Sequence, residues 1–174
     1  LNLTNQLLDF QKTESDAYLL NLEPRNVSEL IRETSLRFTP LAKQKGLLFD
    51  MDLPEKDMYV QVDKEAFLKI ISNLINNAIR YCKSFVRLKA YIAGDNEDSW
   101  FHLITDNDGE KIPDEHKQAI FKPFVQLDKD DRTVNGTGIG LALSRSLTEL
   151  HKGTLDLEDS EDTVRFHLVL PVGS

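Results

Sequence analysis

Asn73-Leu74-Ile75-Asn76-Asn77-Ala78-Ile79-Arg80-Tyr81 is the stretch on which the reading of this 174-residue chain turns. It completes a segment that Asp63 can cap. Phe67, Ile70, Ile71, Leu74, Ile75 and Ala78 recur there at the three- and four-residue spacing of a buried helical stripe. Beside that stripe run Asn73, Asn77, Arg80 and Tyr81, at i, i+4, i+7 and i+8. Asparagine is a mediocre helix former because its side chain competes for backbone hydrogen bonds. A merely solvated face would use Glu, Lys or Gln instead. Asn73, Asn76 and Asn77 in one helix therefore ask for a purpose. An amide oxygen suits a hard cation such as Mg²⁺, which takes oxygen ligands and usually keeps phosphates and waters around it.

Downstream, Gly136-Thr137-Gly138-Ile139-Gly140-Leu141 opens directly into a helix-like segment that runs to His151. Small residues let a backbone approach a phosphate, and a helix start offers unpaired N–H groups with a favourable dipole. No Gly-Lys-Ser/Thr follows, so this is not a P-loop. Plain turn chemistry is the other reading of such glycines. Between the two stretches, Ile104-Thr105-Asp106-Asn107-Asp108-Gly109-Glu110-Lys111-Ile112-Pro113 reads as a strand that ends in an acidic turn.

The remaining elements interleave. Residues 1–16 read as a helix with Leu3, Leu7 and Phe10 on one side. Its pattern fits the tail of a longer bundle or coiled-coil helix and equally an ordinary amphipathic helix packed on its own domain. Tyr18 to Glu23 reads as a strand ended by Pro24. Asn26 or Ser28 can cap a helix to about Lys45, with a kink expected at Pro40. Leu47–Met51 and Met58–Val62 read as strands, Val86–Ala93 and Trp100–Thr105 as a hairpin, and Pro113–Phe121 as a short helix. The polar segment 125–137 reads as a mobile loop, and Thr154–Glu158 with Thr163–Leu170 as a closing hairpin. The fold class is α/β: a mixed sheet with helices on one face.

Composition narrows function. A net charge of −8 argues against a nucleic-acid partner, since a phosphate backbone repels an acidic surface. Cys82 is the only cysteine, which leaves no internal disulfide and fits a reducing compartment. No apolar run approaches the roughly 20 residues needed to cross a bilayer, so no direct membrane contact is expected. The start, Leu1-Asn2-Leu3-Thr4, lacks Met, and the chain reads as a piece of something longer.

Taken jointly, these stretches resemble sensor histidine kinases. Asn73–Ala78 is similar to the family's N box, Asn107–Pro113 to its first glycine box, Phe121-Lys122-Pro123-Phe124 to its F box, and Gly136–Leu141 to its second glycine box. All four stand in the family's order. Leu7-Leu8-Asp9-Phe10 through Leu22-Glu23-Pro24 resembles the exit from the dimerisation helix. The resemblance implies a two-layer GHKL (Bergerat-type) sandwich at 19–172, preceded at 1–18 by the end of a dimerisation helix and linker. It implies ATP and Mg²⁺ as cofactors, with γ-phosphoryl transfer to a histidine on the dimerisation domain, within a cytoplasmic part of a membrane-bound sensor. The partners it implies are that domain, a response-regulator receiver domain, and a second copy of the full-length chain.

Residue by residue, the resemblance gives Asn77 to Mg²⁺ and sets Asn73 and Arg80 beside the phosphates. Tyr81 packs on adenine, and Asn107 and Gly109 belong to the base subsite. Gly136, Thr137, Gly138, Gly140 and Leu141 wrap the phosphates, and Phe121 and Phe124 anchor a lid over 125–137. For the two phenylalanines, core packing is the other reading. Lys129 and Arg132 are phosphate contacts or plain solvated charges.

The chain departs from the family pattern at two places. Relatives carry an adenine-reading Asp where Asn107 stands, and its amide oxygen is expected to accept from the adenine amino group. Lys111 holds a place that is usually glycine, and is strained if the loop needs positive φ. A non-catalytic docking module on this fold and a stand-alone protein-serine kinase are the rival functions. Gyrase-type relatives carry a water-activating Glu near the place of Asn73. Its absence fits transfer to histidine. His102, His116, His151 and His167 are not followed by Glu in any helix that precedes the catalytic segment, so the acceptor histidine is expected outside this sequence.

Overall fold

The structure is a computed structural model that describes residues 3–125 and 138–173. In chain order its elements are α1 (Leu3–Glu14), β1 (Glu23–Asn26), α2 (Val27–Gln44), β2 (Leu48–Asp52), β3 (Tyr59–Val62) and α3 (Lys64–Tyr81). They continue with β4 (Phe85–Ala93), β5 (Trp100–Asn107), α4 (Gly140–Leu150), β6 (Thr154–Glu158) and β7 (Val164–Pro171). A five-stranded mixed sheet has the order β2-β4-β5-β7-β6, in which β2 runs parallel to β4 and the other neighbours are antiparallel. Helices α2, α3 and α4 form the second layer, with α3 between the other two and packed on β5.

Strand alternation creates the interface between the layers. Phe101, Leu103, Thr105 and Asn107 of β5, and Val164, Phe166, Leu168 and Leu170 of β7, are buried on the helix side. Alternate side chains face the other way. The apolar stripe of α3 closes over them, with Phe67 tilted against Phe101 at 5.9 Å between ring centroids. Asp63 caps α3 by accepting from the N–H of Ala66 at 3.0 Å, and Asn26 caps α2 by accepting from that of Glu29 at 3.1 Å.

Three local expectations change, and Pro40, where a kink is expected, is accommodated within α2. The first strand forms at Glu23–Asn26, not Tyr18–Glu23, because it pairs antiparallel with β3 in a separate two-stranded ribbon. Pro24 is tolerated there, at the margin of a sheet rather than its middle. Pro40 lies inside α2 without ending it. The carbonyl that it leaves without a helical donor belongs to Leu36, an exposed residue whose backbone water can reach. Residues 113–121 form two 3₁₀ turns, Asp114–His116 and Ala119–Phe121, instead of one helix. So short a segment gains little from helix propagation, and tight turns carry Ile120 and Phe121 into the core. Finally, Lys111 is not among the residues with positive φ, so it carries no such strain.

Helix α1 packs on α4. Asp9 reaches Lys69 of α3 at 2.7 Å, and Gln6 and Thr13 are buried in the contact. Among the described residues, no helix is long and apolar enough to cross a membrane.

Candidate functional site

The polar stripe of α3 divides into two parts. Asn73 is buried, and its amide nitrogen donates to the Gly140 carbonyl at 3.2 Å and to the Ser144 hydroxyl at 3.1 Å. It thus ties α3 to the first turn of α4. Farther along, Asn77 and Arg80 are half-buried and Asn76 is exposed. The Arg80 guanidinium lies 5.4 Å from the centre of the Tyr81 ring, within cation–π range.

The start of α4 is distinctive. Unlike α2 and α3, it has no side-chain cap on its first turn among the described residues. An uncapped helix start leaves backbone N–H groups for something else to satisfy. Gly138 (φ +71°) precedes it, and a Cβ there would lie 2.8 Å from the Phe124 Cα. The Phe124 N–H donates to the Gly138 carbonyl at 2.7 Å, which joins the two ends of the intervening segment. Phe124 itself has φ 66° and an exposed ring. Phe121 is instead buried, edge-on to Phe166 at 6.0 Å and under the Arg145 guanidinium at 4.2 Å. Leu141 is half-buried against the core. Gly136, Thr137 and the lid expected over 125–137, apart from Val125, lie outside the described residues, as do Lys129 and Arg132.

At the end of β5 three successive residues point to three duties. Asp106 faces the outer side of the sheet, where Arg165 donates to it at 2.8 Å and Thr163 at 2.8 Å. Asn107 faces the helices and is 1% exposed; its Oδ1 accepts the Gly109 N–H at 2.9 Å. The oxygen expected to meet an amino group is thus turned to the Gly109 N–H and already holds one hydrogen bond. The other end of the amide is Nδ2, which is buried and has no partner among the described residues. Asp108 turns back to accept from the N–H groups of Lys83 and Ser84, each at 2.9 Å, of Phe85 at 3.1 Å, and from the Ser84 hydroxyl. Burial works against its charge, yet these donors hold the carboxyl well below the usual carboxylate range. Gly109 is needed for space: a Cβ would fall 2.1 Å from the Tyr81 carbonyl oxygen. That close approach holds the acidic turn against the end of α3.

Sequence reasoning missed Ser144 and the Asp108 clamp. Ser144 is four residues after Gly140, so a small hydroxyl on the buried side of α4 was the available signal. Nothing local marks Asp108 as a partner for residues more than twenty positions earlier.

The histidines stand apart from this cleft. His151 is buried, donates from Nδ1 to the Leu147 carbonyl at 2.7 Å and accepts the Asp63 N–H at Nε2, 3.2 Å away. Burial pushes its pKa down, so a neutral ring joins the end of α4 to the start of α3. His102 and His167 pair at 2.8 Å on the outer face of the sheet, where Tyr91 stacks on His102 at 4.7 Å. Among the described residues no cluster of His, Cys, Asp and Glu could hold a metal ion.

Residues 62–174 match the family described as "Histidine kinase-, DNA gyrase B-, and HSP90-like ATPase". The chain is 28% identical to sensor histidine kinase WalK of Bacillus subtilis over 97% of its length, and 30% identical to sensor histidine kinase TmoS of Ectopseudomonas mendocina over 92%. It spans 28% and 16% of those relatives. Among solved structures, the catalytic domain of histidine kinase ThkA in a nucleotide-free form superposes with a TM-score of 0.75 at 26% identity, covering 88% of this chain and 97% of that one. Full-length ShkA in complex with AMPPNP shares the fold, with a TM-score of 0.84 at 21% identity over 99% of this chain and 35% of that one.

Proposed function

Because this chain belongs to the histidine kinase-, DNA gyrase B- and HSP90-like ATPase family, as a sensor-histidine-kinase catalytic domain, we propose that it binds Mg-ATP and presents the γ-phosphoryl group to a histidine outside these 174 residues. The observation that carries this reading is the uncapped first turn of α4, which Asn73 holds beside the polar stripe of α3. The N–H groups and dipole of a helix start suit phosphate oxygens. The cleft also fits the rest of a nucleotide. Tyr81 offers a partly exposed aromatic face at one end, and the buried, unpartnered amide nitrogen of Asn107 awaits a polar group from a base.

In this reading Asn77 supplies an amide oxygen to Mg²⁺, which when bound would neutralise phosphate charge. Arg80 is placed one helical turn beyond Asn77 to reach the phosphates. Asn73 acts as a positioning residue, since its amide hydrogens are already engaged by α4. Gly136, Thr137, Gly138, Gly140 and Leu141 belong to the phosphate-wrapping segment, and Gly109 packs the base subsite. The Phe124–Gly138 hydrogen bond sets the base of the lid, with Phe121 beneath it in the core. Phosphoryl transfer of this kind relies on positioning and charge stabilisation, and the chain has Asn73 where hydrolytic relatives place a water-activating Glu.

The acceptor is assigned to a dimerisation domain, of which α1 is the last part, and the onward partner to a response-regulator receiver domain. The setting is a homodimeric sensor with this portion on the cytoplasmic side. The direct test is calorimetric titration of ATP with and without Mg²⁺. Binding that needs Mg²⁺ and is lost in Asn77→Ala supports the reading, and normal Mg-ATP binding by that variant removes the metal assignment.

A further inference from the structure

Asn107 is the last residue of β5, on the helix-facing side in register with Phe101, Leu103 and Thr105. Its amide cannot be turned over at will. Exchanging oxygen for nitrogen would set an NH₂ group against the Gly109 N–H, donor facing donor. Gly109 also has little room on the α3 side, where a Cβ would already lie 2.1 Å from the Tyr81 carbonyl oxygen. The turn thus fixes the amide with its oxygen turned to the Gly109 N–H and its nitrogen buried and without a partner among the described residues. A buried donor in that state is costly unless an acceptor is brought to it.

We infer that Asn107 reads the base of a bound nucleotide as a hydrogen-bond donor, directed to the ring nitrogen N1 of adenine, and does not read the exocyclic amino group. The inference rests on the Mg-ATP reading above, which brings a base to Tyr81 and the end of β5. N1 is an acceptor on the same edge of adenine that carries the amino group. A donor fixed at Asn107 pairs with N1 and gains nothing from the amine, which is itself a donor. A carboxylate in the same place would invert this. One oxygen would keep the Gly109 N–H and the second would stand where Nδ2 stands now, able to accept from the amine and unable to serve N1.

The test compares affinities of the full 174-residue chain for three Mg-nucleotides by calorimetry: ATP, purine riboside triphosphate (N1 kept, amine removed) and 1-deaza-ATP (amine kept, N1 removed). The expected order has purine riboside triphosphate within about twofold of ATP and 1-deaza-ATP weaker by about tenfold, the loss of one hydrogen bond to a buried amide. Asn107→Asp should reverse the order of the two analogues. A parent chain that loses about tenfold with purine riboside triphosphate, or that binds all three alike, overturns the inference while leaving the Mg-ATP reading intact. Failure of all three to bind overturns that reading and this one with it. The analogue series on the parent decides the matter even if Asn107→Asp does not fold.

Discussion

The amide nitrogen of Asn73 donates to the Ser144 hydroxyl at 3.1 Å, with the Gly140 carbonyl as second acceptor at 3.2 Å. This bridge holds the start of α4 against α3 from inside the helix layer. In Asn73→Ala, the buried Ser144 hydroxyl and the part-buried Gly140 carbonyl lose a donor. We expect a loss of about 2 kcal/mol, the order found when a buried polar group is left unsatisfied. Urea unfolding should show this as a lower midpoint at unchanged slope. Ser144→Ala should cost less, and the double variant less than the sum, because both changes break one network. Additive losses would mean that the bridge is not shared.

Gly109→Ala should destabilise the fold by about 1–3 kcal/mol, as overpacking does, since its Cβ has nowhere to go but into the Tyr81 carbonyl. Lys111→Gly, two residues on, should give no gain from relief of strain, because Lys111 does not have positive φ. Equilibrium unfolding of the two variants compares them directly. Equal effects would show that the turn is governed by its flexibility and not by its approach to α3.

Asp108→Ala should loosen the connection between α3 and β4. The carboxylate satisfies three successive N–H groups, of Lys83, Ser84 and Phe85. Amide exchange at these three positions should quicken in the variant while exchange in the core of β5 stays slow. Unchanged protection at residues 83–85 would show that the clamp contributes nothing in solution.

Stability should fall as the solution is acidified below about pH 6.5, the ordinary histidine value. Burial lowers the pKa of His151, and burial together with the neighbouring His167 lowers that of His102. Both rings therefore take up protons less readily in the fold than when it is lost. The unfolded state therefore binds more protons in the window below pH 6.5, and its share grows as pH drops. A second loss should follow below about pH 4, as protons displace the donors held by Asp108, whose carboxyl is depressed. Urea midpoints at pH 7.5, 6.5 and 5.5 measure the first step. His151→Gln should flatten it; an equally steep decline in that variant would place the titrating group elsewhere.

The chain by itself should not form phosphohistidine. Its four histidines are a core ring joining two helices, a pair on the outer face of the sheet, and His116 in a 3₁₀ turn. Incubation with radiolabelled Mg-ATP should leave the chain unlabelled. A longer chain that includes the helices expected before α1 should acquire a label that is acid-labile and base-stable. Strong labelling of the 174-residue chain would contradict the assignment of the acceptor.

Features that depend on neighbours in the chain can be read from the order of residues alone. The 3.6-residue stripe of α3, its Asp63 cap, the Asn26 cap of α2, the β4–β5 hairpin and the closing β6–β7 pair all rest on local periodicity and capping chemistry. The polar stripe from Asn73 to Tyr81 was legible for the same reason. Only the tertiary structure decided matters that depend on distant groups. The pairing of β1 with β3 joins residues nearly forty positions apart, so it could draw the strand to Glu23–Asn26 without any local sign. Gly109 is demanded by the carbonyl of Tyr81, not by its own dihedral angle. Asp106, Asn107 and Asp108 look alike in sequence, yet Arg165, the Gly109 N–H and the 83–85 turn give each a different partner. How the Asn107 amide is turned also follows from that arrangement, because the Gly109 N–H needs an acceptor and so fixes which end of the amide faces it.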